Sequence, residues 1–151
     1  YEIASCLVGS EMCIRDRHYM GYDLLDGGIS DPIPIEKSLA DGNTFHVIVL
    51  TRNKGYQKEP FGHTAFLKAA FRKHPAVAEA MRTRHEIYNR QLALCEKLEK
   101  AGRAVIIRPL KPLNVSRTKA EVPALLALHD EGLYEGRAAL GSFEEMLNIK
   151  L

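Results

Sequence analysis

One short segment constrains the fold of this chain more than any other, because it joins an apolar run to two adjacent glycines and two prolines. The run Tyr22 to Leu25 leads into Asp26-Gly27-Gly28, and Asp31-Pro32-Ile33-Pro34 follows. Asp-Gly between apolar runs usually makes a hairpin turn. Here the prolines remove hydrogen-bond donors from any returning strand, so a hairpin is disfavoured. The segment therefore predicts a strand that ends near Asp26 and a loop at its carboxyl end, where α/β proteins keep their ligands.

The strongest strand signal covers residues 44–51, which are β-branched and apolar almost without interruption. A continuous apolar run of this length is typical of a strand buried on both faces of a parallel sheet, so we expect it at the centre of the sheet. A second compact strand is expected at residues 103–108, where Pro109 closes it.

Helical patterns alternate with these strands. They are expected at residues 35–40, at 64–73, from Pro75 to about Ala101, and as two short helices after about Lys119 that Gly132 separates. The alternation predicts an α/β domain of three layers (α/β/α), with helices on both faces of a mainly parallel sheet.

The first seventeen residues differ from the rest of the chain in their expected origin. Residues 1–17 contain Met-Cys-Ile-Arg-Asp and resemble a translated sequencing adapter, so we expect them to be no part of the fold. The remaining residues 18–151 suffice for one domain. Among them Cys95 is the single cysteine, which excludes an intramolecular disulfide and fits a reducing compartment.

Composition excludes several classes of function. The net charge of +2 is too small to indicate a nucleic-acid partner. No apolar run approaches the roughly 20 residues that span a bilayer, so any membrane contact would be peripheral. The six histidines do not fall at metal-ligand spacings, and we expect neither a metal nor another cofactor.

Several segments in combination resemble the bacterial, cytoplasmic type of patatin-like phospholipase. They are Asp26-Gly27-Gly28 through Pro34, the strand from Val47 to Leu50 with the loop to Tyr56, the run from Arg84 to Asn89, and the strand exit from Ile106 to Leu113. The likeness extends from His18 to about Gly132. It implies the C-terminal portion of a patatin-like α/β/α fold, without its N-terminal strands, in a cytoplasmic protein.

The resemblance also implies a reaction, the hydrolysis of a lipid acyl ester through a covalent acyl-serine. Asp26 would serve as the base of a Ser-Asp dyad, with Gly27 and Gly28 completing its motif. The Gly-x-Ser-x-Gly elbow that carries the serine in this family does not occur in the 151 residues, and neither Ser116 nor Ser142 has its flanking glycines. We therefore expect the serine to come from upstream polypeptide and the chain alone to be inactive.

An incomplete fold of this kind has a physical consequence. Missing strands would leave a sheet edge and one apolar face uncovered, so the chain is expected to self-associate or to be poorly soluble.

A function of a different class also fits the sequence. In this alternative the chain is a non-catalytic α/β module, and Asp26-Gly27-Gly28 is only a structural turn. The basic loop near Lys54, which also holds Arg52 and Lys58, would then bind an anionic ligand.

Overall fold

The computed structural model describes residues 17–19, 21–62, 64–112 and 121–147. Its elements in chain order are β1 (Arg17–Tyr19), β2 (Tyr22–Leu24), a 3-10 turn (Gly27–Ile29), α1 (Ile35–Ala40), β3 (His46–Val49), α2 (Thr64–Ala70), α3 (Pro75–Lys100), β4 (Ala104–Ile107), α4 (Val122–Ala138) and α5 (Leu140–Leu147). The fold class is therefore mixed α/β, with more helix than strand. The chain divides into two compact units, residues 1–34 with 58–90, and residues 35–57 with 91–151.

The first unit contains a short antiparallel hairpin. β1 pairs with β2 in a register that joins Arg17 to Leu24 and Tyr19 to Tyr22. Gly21 lies in the connecting turn with a φ of 85°, a conformation that glycine adopts without steric cost. β1 begins at Arg17, the last residue of the segment that we expect to be no part of the fold. Residues 1–16 lie outside the described residues, so their exclusion from the fold stays a prediction.

The second unit contains a parallel strand pair. β3 and β4 pair in a register that runs from His46 opposite Ala104 to Val49 opposite Ile107. The parallel direction of this pair agrees with the predicted α/β class. The chain between them includes α2 and α3, in line with the need of a parallel pair for a long crossover.

The prediction that β3 is buried on both faces is wrong. Burial alternates along the strand: Ile48 is 8% exposed, whereas Val47 and Val49 are 55% and 70% exposed. In the described part of the chain the sheet has only two strands, and no layer covers the face that carries the two valines. An apolar run signals burial only where a second layer is present to provide it.

The C-terminal half of α3 supplies much of the core of the second unit. Leu92, Cys95 and Leu98 recur at helical spacing and are all buried. Cys95 is fully buried, and this burial raises the pKa of its thiol to about 11. The thiol is therefore protonated at neutral pH and chemically inert.

Helix positions follow the sequence closely, with two corrections. α1 and α3 match their predicted ranges, and Gly102 takes a φ of 66° just after α3. α2 ends at Ala70, three residues before its predicted end. α4 continues through Gly132, and the break before α5 falls at Ala139. A glycine inside a helix costs only about 1 kcal/mol, which the hydrogen bonds of a long helix offset.

Candidate functional site

Asp26 lies in a tight turn just after β2. The chain enters a 3-10 turn over Gly27–Ile29, and the amide of Ile29 donates to the carbonyl of Asp26 over 3.0 Å. The carboxylate caps this turn, because its Oδ1 accepts a hydrogen bond from the amide of Gly28 at 2.9 Å. The chain does not return as a strand after the turn. The prediction that Asp26 stands in a loop and not in an Asp-Gly hairpin is confirmed.

A residue from α3 holds the same turn from the other side. Arg84 Nε donates to the carbonyl oxygen of Gly28 over 2.6 Å. A Cβ atom at Gly28 would lie 3.3 Å from Asp26 Oδ1 and 3.5 Å from Arg84 Nη2. The absence of a side chain at Gly28 therefore lets the carboxylate and the guanidinium approach the same stretch of backbone.

A hydrogen bond orients one of the two carboxylate oxygens of Asp26. The side chain is half-buried, and within the described residues its Oδ2 has no hydrogen-bond partner. An ionised carboxylate can accept several hydrogen bonds, so Oδ2 is able to accept one from an incoming group. A carboxylate that is oriented through one oxygen can accept a proton at the other.

The role of Arg84 was missed at the level of sequence, although the residue belongs to the run from Arg84 to Asn89 noted above. Asn89 is a second such residue. Its Oδ1 accepts from the amide of Lys58 at 2.8 Å, and its Nδ2 donates to the carbonyl of Lys58 at 3.0 Å. Both residues act on backbone that is distant in sequence, 56 positions away for Arg84 and 31 for Asn89. No local pattern encodes such a contact.

We expect Arg84→Met to destabilise the first unit. Methionine keeps the apolar stem but leaves the Gly28 carbonyl without its charged donor, which should lower the free energy of unfolding by about 1–3 kcal/mol. Urea unfolding followed by circular dichroism measures the change. Arg82→Met is the matched control, because Arg82 is exposed on the same helix and its guanidinium bonds to the neighbouring side chain of Glu79, not to distant backbone, within the described residues. An equal loss of stability in both variants would contradict a specific role for Arg84.

Two cations of the loop near Lys54 each lie over an aromatic ring of their own unit. The Arg52 guanidinium lies 5.0 Å from the centre of the Tyr56 ring, and the Lys58 ammonium lies 5.7 Å from the centre of the Tyr88 ring. Lys54 is exposed, and its carbonyl accepts from Asn53 Nδ2 at 2.9 Å. Cation–π contacts of this kind account for the positions of Arg52 and Lys58 without a ligand.

His46 is the clearest case of a buried histidine among the residues that the structure describes. It is 5% exposed, and its Nδ1 lies 3.1 Å from Ser38 Oγ, whereas its Nε2 is buried without a hydrogen-bond partner in that part of the chain. The interpretation of the histidines as structural or solvated stays a prediction. His63 and Ser116 lie outside the described residues. Across the described ranges, no three His, Cys, Asp or Glu side chains are grouped as metal ligands, and no helix has the length and apolarity to cross a membrane.

Comparison with known proteins gives one match. Residues 74–148 match the family model described as "Domain of unknown function (DUF6363)". The matched range includes α3, β4, α4 and α5, together with Arg84, whereas Asp26 precedes it. No curated protein and no solved structure matches the chain. Over just under half of its length, the chain is thus similar to a domain to which no function is attached.

Proposed function

We propose that this chain supplies the aspartate of a Ser-Asp acyl hydrolase of the patatin-like type, with the serine contributed by polypeptide outside the given sequence. The substrate class is a lipid acyl ester. Asp26 is the catalytic residue of the proposal, and Gly27 and Gly28 form the turn that positions it. The enzyme is the longer protein, since the 151 residues alone contain no Gly-x-Ser-x-Gly elbow.

One observation carries this proposal more than any other. The Asp26 carboxylate is held at Oδ1 by the Gly28 amide, and the Gly28 carbonyl is in turn held by Arg84. A base that acts without a histidine needs a fixed orientation towards the hydroxyl group, because a displacement of about 1 Å is enough to lower the rate by a large factor. The two hydrogen bonds supply such fixation from both sides of Gly28.

The proposed chemistry assigns one proton transfer to Asp26. The serine oxygen attacks the ester carbonyl, its proton passes to Asp26 Oδ2, and a tetrahedral oxyanion forms. The alcohol then leaves with that proton, and the acyl-serine remains. Water attacks the acyl-serine by the same route in reverse, with Asp26 again taking and returning a proton. Donors that stabilise the oxyanion would also come from outside this chain, and they would supply most of the rate enhancement.

The patatin-like α/β/α fold of the longer protein is part of the same proposal. A three-layer α/β/α domain with a mainly parallel sheet requires further strands beside the β3–β4 pair and a further layer over the face of Val47 and Val49. The exposure of that face is consistent with such a layer being supplied by the longer protein. A cytoplasmic protein that touches the membrane only at its surface remains the proposed setting.

The alternative of an anion-binding module has weaker support. Arg52 lies against the Tyr56 ring and Lys58 against the Tyr88 ring, so neither cation needs an anion to explain its position. The alternative predicts that an anion such as inorganic phosphate binds the loop near Lys54 and slows the exchange of its backbone amide hydrogens.

The direct test is to extend the reading frame upstream and to express the longer protein. We expect the added sequence to contain Gly-x-Ser-x-Gly, and the longer protein to hydrolyse p-nitrophenyl butyrate and to react covalently with a fluorophosphonate probe. The 151-residue chain should do neither. Absence of the motif upstream, or fluorophosphonate labelling of the short chain to the same extent as the longer protein, would overturn the proposal.

A further inference from the structure

A cavity of about 670 Å³ runs along β4 in the second unit. All four residues of β4, Ala104–Ile107, line one side of it, and the end of α4 with α5 lines the other. Successive residues of a strand point to opposite faces of the sheet. Four consecutive residues therefore line one cavity only where that cavity follows the edge of the strand.

The hydrogen bonds between β3 and β4 show which backbone groups face this cavity. The amide of His46 donates to the carbonyl of Arg103 at 3.1 Å, and the amide of Leu50 donates to the carbonyl of Ile107 at 2.8 Å. In a parallel ladder, alternate residues of one strand bond to its partner. The backbone groups of Ala104 and Ile106 therefore point away from β3, towards the cavity, and no partner for them is found in the described ranges.

The opposite wall of the cavity is acidic. Glu135 Oε1 is buried and has no hydrogen-bond partner in the described part of the chain. Glu145 also lines the cavity, whereas Glu99 is already paired with Arg108 at 3.0 Å. A buried carboxylate oxygen without a donor is unfavourable, so this wall is complementary to a positively charged group.

We propose that this cavity is an acceptor groove for an extended strand of a separate polypeptide that carries a basic side chain. The strand pairs with the free edge of β4 through Ala104 and Ile106, as in β-augmentation. Its lysine or arginine binds Glu135, and its apolar side chains cover the half-buried Val105 and Ile107. The groove lies wholly within the range that matches DUF6363, and the inference does not depend on the proposed hydrolase activity.

The test uses the 151-residue chain and a capped six-residue peptide of alternating valine and lysine. Amide hydrogen exchange measured by NMR reports each position. On addition of the peptide, we expect protection of the Ala104 and Ile106 amides to rise at least about tenfold. The amides of Val105 and Ile107 already bond to β3 and should change little. Unchanged protection at Ala104 and Ile106 would overturn the proposal, even if the peptide binds elsewhere.

Charge is tested with a second peptide and two variants. Glu135→Gln should weaken peptide binding about tenfold, in keeping with the loss of a hydrogen-bonded charge pair. Glu121→Gln removes the same charge from the start of the same helix, outside the cavity, and should leave the affinity unchanged. An equally tight complex with a valine–glutamate peptide would overturn the requirement for a basic strand. Protection that rises with protein concentration in the absence of peptide would assign the groove to a second copy instead.

Discussion

In the longer, serine-containing hydrolase that we propose, Asp26→Asn is expected to lower kcat/KM for ester hydrolysis by about 10³-fold, within the range that a positioned general base contributes. Asparagine has nearly the same shape, and its side-chain oxygen can still accept the Gly28 amide hydrogen bond seen at Asp26 Oδ1. What it loses is the ability to take the proton of the serine. The substitution therefore separates the chemical role of the side chain from its structural role as a cap.

A matched variant makes this result interpretable. Asp41 is an exposed carboxylate that pairs with Lys37 four residues before it. Asp41→Asn should leave kcat/KM unchanged, and both variants should unfold at the same urea concentration as the parent protein. If Asp26→Asn kept more than about a tenth of the activity, the loss would be too small for a catalytic base. That result would favour the alternative of a structural turn.

The sequence predicts the turn at Asp26 because local chemistry decides it. A carboxylate followed by two glycines caps a short turn, and the prolines after it prevent a returning strand. The support from Arg84 was not predictable in the same way. An arginine on a long helix has the same neighbouring sequence whether its side chain contacts solvent or, as here, bonds to backbone 56 residues away.

The same contrast applies to the strands. The residues of β3 and β4 identify them as strands, and the helices between them favour a parallel orientation, which the structure shows. Their burial does not follow, since burial depends on what covers the sheet. The apolar character of Val47 and Val49 suits a covered face, yet the described residues leave that face exposed. The apolar residues of a strand thus indicate that it suits burial, but whether it is buried depends on other parts of the protein.

An exposed apolar face beside a free strand edge should make the chain associate with itself. Phe45, just before β3, and Val47 and Val49 within it are 49%, 55% and 70% exposed, and their alternate spacing puts them on one side of the strand. The backbone groups of Val47 and Val49 also face away from β4, because those of His46 and Leu50 bond to it. Pairing of two such edges would bury both the apolar side chains and the unsatisfied backbone groups.

We therefore expect Val47→Lys/Val49→Lys to weaken self-association of the 151-residue chain by at least about a hundredfold, since burial of each valine contributes about 1.5–3 kcal/mol. Sedimentation velocity over a range of concentrations measures the effect. Ala93→Lys/Ala101→Lys adds the same charge at exposed positions away from the strand and should associate like the parent chain. Exposed leucines on α4 provide a competing surface. Association that survives the β3 substitutions but is lost in Leu125→Lys/Leu126→Lys would place the interface on that helix, and the free face of β3 would then not be what drives association.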